Sequence, residues 1–173
     1  MRYLILASAI AIAMGAVANA QTAGGQLTID GTITGSMTLV VSTDVAGANI
    51  AGSGSSAGSF NFGPVSAATP DGAVALNVIK SAFGGGYNLA TSVDVIVTAA
   101  NGTSPNYNLS AAIDNTDNFT YQVGGVSMTT TPQIVGSNIA YSTAHQVLLN
   151  IIVPTAAPGA TVARIIFFTA TAN

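Results

Sequence analysis

Hydrophobic and polar positions alternate most cleanly near the start of the chain. Every odd position from 27 to 41 is apolar or glycine: Leu27, Ile29, Gly31, Ile33, Gly35, Met37, Leu39 and Val41. The even positions are Thr28, Asp30, Thr32, Thr34, Ser36 and Thr38, with Val40 the one apolar exception and Ser42 following. A period of two turns one row of side chains to a core and the other to solvent, which predicts a β-strand. Fully extended, residues 27–42 would reach roughly 50 Å, far beyond a strand of about five or six residues. Either a glycine bends the stretch within its own domain, or its first half leaves to complete a neighbour.

The same alternation recurs down the chain with turn residues between. Residues 46–59 are rich in Ala, Gly and Ser and predict a flexible surface loop. Phe60-Asn61-Phe62-Gly63-Pro64-Val65 predicts a short strand stopped at Gly63-Pro64, and Thr69-Pro70-Asp71-Gly72 a turn. A strand is expected over 74–82 and a break at Gly84-Gly85-Gly86, followed by a strand over 87–99 with Val93, Val95 and Val97 on one face. Asn101-Gly102 signals a hairpin back into Tyr107, Leu109, Ala111 and Ile113. Asp114-Asn115-Thr116-Asp117-Asn118 predicts a polar turn, after which Phe119, Tyr121 and Val123 pair across Gly124-Gly125 with residues 126–129. A short edge strand is expected over 132–135. Residues 144–153 are apolar on both faces, as in a central strand, and end at Pro154. After Pro158-Gly159, residues 161–172 set Val162, Ile166 and Phe168 on one face and Ile165 and Phe167 on the other. Helical periodicity is absent after residue 20. About nine strands with regular turns predict an all-β, immunoglobulin-like antiparallel sandwich with an extended N-terminal strand.

Residues 1–20 are expected to lie outside that fold. Arg2, an apolar run over 4–17 and Ala18-Asn19-Ala20 form the pattern of a cleaved secretory signal peptide. The run is shorter than the roughly 20 residues a spanning helix needs, so membrane contact is expected only during export. The organisation read from the sequence is therefore signal peptide over 1–20, N-terminal extension over 21–35 and sandwich domain over 36–173.

Charge changes the picture further. Only 5% of residues are charged, Lys80 and Arg164 are the sole cations beyond the leader, and there is no glutamate. Solubility must rest on Ser, Thr, Asn and Gly, which suits a secreted β protein or one covered by copies of itself. Nucleic-acid binding, which takes clustered Lys and Arg, is not expected. With no cysteine there is no disulfide framework, thiolate metal site or thiol nucleophile.

The Phe60-Asn61-Phe62-Gly63-Pro64-Val65 segment resembles a strand of bacterial fimbrial subunits and spore coat protein U-like domains. So does the closing pattern, His145-Gln146-Val147-Leu148-Leu149-Asn150-Ile151 with Pro154 and Pro158-Gly159, then Ile166-Phe167-Phe168-Thr169-Ala170-Thr171-Ala172. The resemblance covers the layout of most of the chain after the leader. It implies a secreted, pilin-like sandwich in which an extended N-terminal segment of one subunit fills a missing strand position in the next. The chain departs from many members of that group in having no cysteine. Leu27, Ile29, Gly31, Ile33 and Gly35 match the alternation such a donor strand needs. Gly35 is then the hinge, with 27–34 exported and 36–42 kept at home. A bulged first strand within its own domain is the competing reading.

Other motifs promise little chemistry. His145 is the only histidine, at a strand start with no nucleophile elbow in the chain, so a local structural role is expected and no catalytic residue is assigned. The Asp114 to Asn118 run lacks the spacing and the glutamate of a calcium loop, so no metal is expected. Gly84-Gly85-Gly86 is followed by no lysine and opens no helix, unlike a phosphate loop, and no cofactor is expected. Asn101-Gly102-Thr103, Asn108-Leu109-Ser110 and Asn118-Phe119-Thr120 match the glycosylation sequon, a pattern frequent by chance in a Ser- and Thr-rich chain. Tyr87, Tyr107, Tyr121 and Tyr141 would form a sugar-stacking platform if exposed together, or core and cross-strand contacts if not. The sequence thus points to a non-enzymatic structural subunit of an extracellular or cell-surface filament. Its partners are copies of itself, with secretion or assembly factors alongside. A monomeric carbohydrate- or surface-binding module is the runner-up, and a secreted hydrolase a weaker third.

Overall fold

The computed structural model describes residues 36–65, 68–100, 104–155 and 162–173, all within the compact unit Thr34–Asn173. Ten strands appear in chain order: β1 Ser36–Thr43, β2 Gly72–Ala75, β3 Val78–Phe83, β4 Gly86–Ala100 and β5 Asn106–Ile113 come first. β6 Thr120–Val123, β7 Val126–Ser127, β8 Gln133–Ala140, β9 His145–Pro154 and β10 Ile166–Ala172 complete them. No helix occurs among the described residues. Every strand pairing is antiparallel, and the strands form a seven-stranded and a three-stranded sheet.

The large sheet is organised by β4, whose 15 residues exceed the reach of any one partner. β9 runs along one edge, from Gly86↔Pro154 to Val95↔His145. The other edge is shared end to end: β3 takes Gly86 to Ala90, and β1 takes Val93 to Ala100. β6 and β7 extend the sheet beyond β9, and β2 beyond β3. The small sheet has β5 at its centre, with β10 on one side and β8 on the other.

Alternation fixes what lies between the sheets. Val93, Val95 and Val97 of β4 point inward with Val147 and Leu149 of β9, and meet Tyr107, Leu109 and Ala111 of β5 in one core. All are buried, so the two sheets form a sandwich. A smaller cluster of Ala48, Val78 and Leu89 extends under β2 and β3 and is covered by Phe60, Phe62 and Tyr87. Within it Lys80 is only 1% exposed. Its ammonium donates to Thr69 O at 2.7 Å and Asp71 Oδ1 at 3.2 Å and lies 5.1 Å from the Tyr87 ring centre. A buried cation needs such partners, because desolvation alone would be costly.

Several expectations change. Residues 74–82 form two strands, not one, because Asn77 adopts φ 56° and turns β2 back on β3 as a hairpin. Asparagine tolerates that left-handed conformation better than other non-glycine residues. Phe60 to Val65 pairs with no strand, and Gly63 turns within it at φ 71° with its N–H donating to Asn61 Oδ1 at 2.7 Å; its aromatic rings, 6.3 Å apart, pack on the second core cluster. Residues 46–59 are not a free loop. Ala48 N–H donates to Thr91 Oγ1 at 2.8 Å, Ile50 N–H to Thr43 Oγ1 at 3.0 Å, and Ala51 bridges to Ser59, while Ala48 and Ile50 are buried. Small residues there permit close approach, which composition alone reads as flexibility. The edge strand at 132–135 runs on to Ala140 as β8, and the pairing expected over 126–129 ends at Ser127 as a strand. β9 is central as expected, yet Leu148 on its outer face is 48% exposed. Asn101-Gly102 and Pro158-Gly159 lie outside the described residues.

Candidate functional site

Among the described residues the sandwich is open along one side. β10 is an edge strand of the small sheet, and among the described residues nothing pairs with its outer edge. Its hydrogen-bonding phase follows from two bonds to the β5 chain, Asp114 N–H to Ile165 O and Asn173 N–H to Asn106 O, both 3.1 Å. In an antiparallel ladder bonded and non-bonded pairs alternate. Ile166, Phe168, Ala170 and Ala172 therefore direct their backbone N–H and C=O groups away from β5, towards the open side. The side chains of Ile166, Phe168 and Ala170 pack against the core.

Across the gap stands β1. Its outer edge is engaged at Val41, whose N–H donates to Ser55 O and whose C=O accepts from Gly54 N–H, both at 2.9 Å. By the same alternation Leu39 and Met37 face their backbone groups the same way. Between the two edges lies a groove of about 460 Å³ walled by Leu39, Val41, Ile166 and Phe168, with Val93 and Leu149 beneath. The loop from Ser56 to Phe60 closes one flank, and Arg164 is the only charged residue on the lining.

Two polar clusters hold the walls. At the end of β1 the Asp44 carboxylate accepts from Ser92 Oγ–H and from Gln146 Nε2–H, the latter at 2.6 Å. These bonds, Ser92 first, lower its pKa and anchor the start of the loop that flanks the groove. Asp94, on the same face of β4, is shifted upward by burial and by the nearby Asp44 charge. At the other wall Arg164 Nη2 meets Asp117 Oδ2 at 2.9 Å, and the same carboxylate oxygen accepts from Tyr121 Oη–H at 2.9 Å. Phe119 N–H caps Asp117 Oδ1 at 2.8 Å. Burial, then the bond to Asp117, raises the Tyr121 pKa, so the phenol stays a donor. Arg164 Nη1–H reaches Ala163 O at 2.6 Å, while its Nε is buried and unpartnered.

The residues singled out from the sequence are distributed unevenly about this groove. Leu27, Ile29, Gly31, Ile33 and Gly35 lie outside the described residues, as do the leader and the rest of the extension. The later part of the same alternation is in place, with Leu39 and Val41 on the groove wall and Met37 beyond them at the β1 start. His145 opens β9 with Nε2 against Gly136, where an added Cβ would come within 2.9 Å of it. The Asp114 to Asn118 run serves the fold: Asp114 Oδ1 accepts from Ile165 N–H at 3.1 Å and Asp117 holds Arg164. No group of three or more His, Cys, Asp or Glu that could hold a metal occurs among the described residues. The tyrosines do not make a platform. Tyr107 and Tyr121 are buried, Tyr107 stacks on Tyr141 at 5.2 Å, and Tyr87 Oη–H donates to Val65 O at 3.2 Å.

Arg164 and the open β10 edge were missed by sequence reasoning. A signal for the edge was present. Residues 165–168 are apolar on both faces, yet Ile165 and Phe167 are 57% and 52% exposed, so the outer face of this edge strand is apolar and uncovered among the described residues. No protein-family model matches the chain, and no curated protein matches it.

Proposed function

We propose that the protein is a structural subunit of an extracellular filament, with residues 27–35 of one copy entering the groove beside β10 of the next. The observation that carries this reading is the pairing of an open β10 edge with an apolar groove. Exposed strand edges invite a further strand, and β-strand addition supplies backbone bonds along with pockets for alternate side chains. The segment offers that pattern on the odd positions. A cavity left by one deleted leucine is about 150 Å³, so 460 Å³ suits about three large aliphatic side chains. Leu27, Ile29 and Ile33 are three, and Gly31 separates them.

Exchange between copies is favoured over folding back within one copy. A hairpin of the segment on its own β1 would set Ile33, Gly31 and Ile29 opposite Met37, Leu39 and Val41. The Val41 backbone is already committed to Ser55 and Gly54, so that ladder would stop after its second pair. A head-to-tail contact does not close on itself and propagates as a filament. The pilin-like resemblance, the leader pattern and the scarcity of charge fit a secreted subunit whose surface is largely covered by neighbours.

Negative-stain electron microscopy of the secreted protein is the test. Filaments of uniform width are expected. Monodisperse particles at high concentration contradict the proposal and favour a monomeric surface-binding module.

A further inference from the structure

Resting on the strand-exchange reading, we infer that the neighbouring copy's strand enters the groove N-terminal end first and runs parallel to β10. Leu27 then stands beside Ile166, Ile29 beside Phe168 and Asp30 beside Thr169. The groove is deep towards one end of the sandwich. On β10 its lining takes in Ile166 and Phe168, at the start of the strand, and on β1 it takes in Leu39 and Val41, past the start. β1 and β10 run in opposite directions: Tyr107, opposite Ala172, stacks on Tyr141, whose hydroxyl lies 3.6 Å from Met37 Sδ. The far end, at Met37 and Ala172, lies outside the lining. The segment carries its bulk in a matching order. Leu27 and Ile29 stand together at its start, whereas Ile33 is isolated between Gly31 and Gly35. Apolar burial is greatest when the first two lie beside Ile166 and Phe168.

That deep end is blocked to a folded domain. Ser56 to Phe60 lines it, tied back by the Ala51–Ser59 bridge, and Phe60 reaches on to the second core cluster of Ala48, Val78 and Leu89. Gly35 is followed at once by Ser36, the first residue of β1. The donor's own sandwich therefore starts one residue beyond the segment, and the Gly35 end must emerge where the acceptor leaves room for it. That is the Met37 and Ala172 end. Before Leu27 the segment continues through Gly24-Gly25-Gln26, a thin stretch that needs far less room than a domain.

The outward row of side chains decides against the reverse polarity. An antiparallel strand filling the same two positions would set Ile29 by Ile166, Leu27 by Phe168 and Asp30 by Ile165. Ile165 and Phe167 are the exposed apolar pair on the outer face, and the polar Thr169 and Thr171 follow them. A carboxylate laid against Ile165 loses water and gains no partner, because Arg164 stands on the inward row and is paired with Asp117. The parallel strand instead sets Thr28 beside Phe167, a β-branched and aromatic pair, and Asp30 beside the Thr169 hydroxyl. A slip of two residues one way brings Asp30 beside Phe167 and Gly31 beside Phe168. A slip the other way leaves Gly25 beside Ile166. Side chains that do not repeat along the segment therefore hold the register.

Paired cysteines in the full chain read the polarity directly, since the parent has none. Ile165 and Thr171 are exposed at the two ends of the outer row, so each accepts a cysteine without disturbing the core. Ile165→Cys with Gln26→Cys, and Thr171→Cys with Thr32→Cys, are expected to give ladders of covalent oligomers from oxidised assemblies. An offset of two residues moves the partners about 7 Å along the strand, beyond disulfide reach. Ladders instead from Ile165→Cys with Thr34→Cys and from Thr171→Cys with Thr28→Cys would make the strand antiparallel. That result overturns the inference and leaves strand exchange standing. A ladder from Thr171→Cys with Asp30→Cys or Thr34→Cys, in place of Thr32→Cys, overturns it in the same way. Cross-linked monomer alone, or no covalent product from any of these pairs, rejects strand exchange itself. A second readout needs no disulfide. Ile29→Ala filaments should dissociate in denaturant at least about tenfold faster than the parent, and Ile33→Ala filaments less than about threefold faster. Equal losses or the reverse order overturn the inference, because Ile33 would then share or hold the deep position.

Discussion

A chain carrying Leu27→Ser, Ile29→Ser and Ile33→Ser is expected to form no filaments and to stay a folded monomer. Each large aliphatic side chain gains about 1.5–3 kcal/mol on full burial, so the three together supply roughly 6 kcal/mol of gross driving force. Serine in their place removes nearly all of it. The backbone bonds that remain along β10 exchange with bonds to water and contribute little net. Association must first overcome lost translational freedom and the ordering of the segment, so what is left cannot hold two copies together at micromolar concentration. Size-exclusion chromatography with light scattering checks the state, and circular dichroism checks the fold. Strand exchange predicts that the melting temperature of the monomer matches that of unassembled parent protein. A large drop in that temperature would instead identify the segment as a strand of its own domain. Filaments persisting at parental yield would remove the apolar face as the cause of assembly.

The second large effect concerns the fold that shapes the groove. Gly86→Ala is expected to destabilise the domain by about 3 kcal/mol, the upper part of the overpacking range. Gly86 has φ 150°, and a Cβ there would stand 2.0 Å from Val153 O and 2.9 Å from Pro154 Cα. Neither neighbour is the movable tip of a side chain. Relief requires parting β4 from β9 at Gly86↔Pro154, the first rung of the longest ladder in the large sheet. Leu149, further along β9, lines the groove and Val147 joins it in the core, so a shift of that strand reaches the groove. Denaturant unfolding of monomeric protein measures the loss. A midpoint within error of the parent would mean that the β4–β9 pairing tolerates a displacement the geometry forbids. Gly85→Ala is the control, since its nearest neighbour is the Phe83 ring at 3.3 Å, which can swing away.

How far the sequence foretold this molecule depended on whether one interaction governed a stretch. Where a single face is buried, alternation alone placed the strand. Val93, Val95 and Val97 turned inward as read, and so did Tyr107, Leu109, Ala111 and Ile113. Glycine and asparagine signals failed where conformation was set by a residue whose left-handed preference is weak. Asn77 turns a hairpin in the middle of an apolar run, and only its φ reveals it. Composition misled at residues 46–59, because small side chains serve close packing and flexibility alike; hydrogen bonds donated by Ala48 and Ile50 N–H to Thr91 and Thr43 decide between them.

The candidate site divides in the same way. Its proposed occupant was legible, as an alternation too long for one strand. Its acceptor was not. An edge is a property of strand order, and strand order depends on pairings between residues more than 50 apart, such as Val93↔Val147 and Ile166↔Ile113. Arg164 was not legible as part of the groove wall because one arginine in a chain of few charges carries no spacing. Only the folded chain sets it there, paired with Asp117.

The absence of cysteine offers the most direct test of the central claim, since engineered pairs meet no background thiols. Ile29→Cys is combined in turn with Ile166→Cys, Phe168→Cys and Ala170→Cys, the inward-facing positions of β10, and assembled protein is oxidised. Strand exchange predicts that at least one pair yields a ladder of covalent oligomers on non-reducing denaturing gels, collapsing to monomer with reductant. A cross-linked monomer from the same pairs, with no ladder, would show that the strand returns to its own groove and contradict the account.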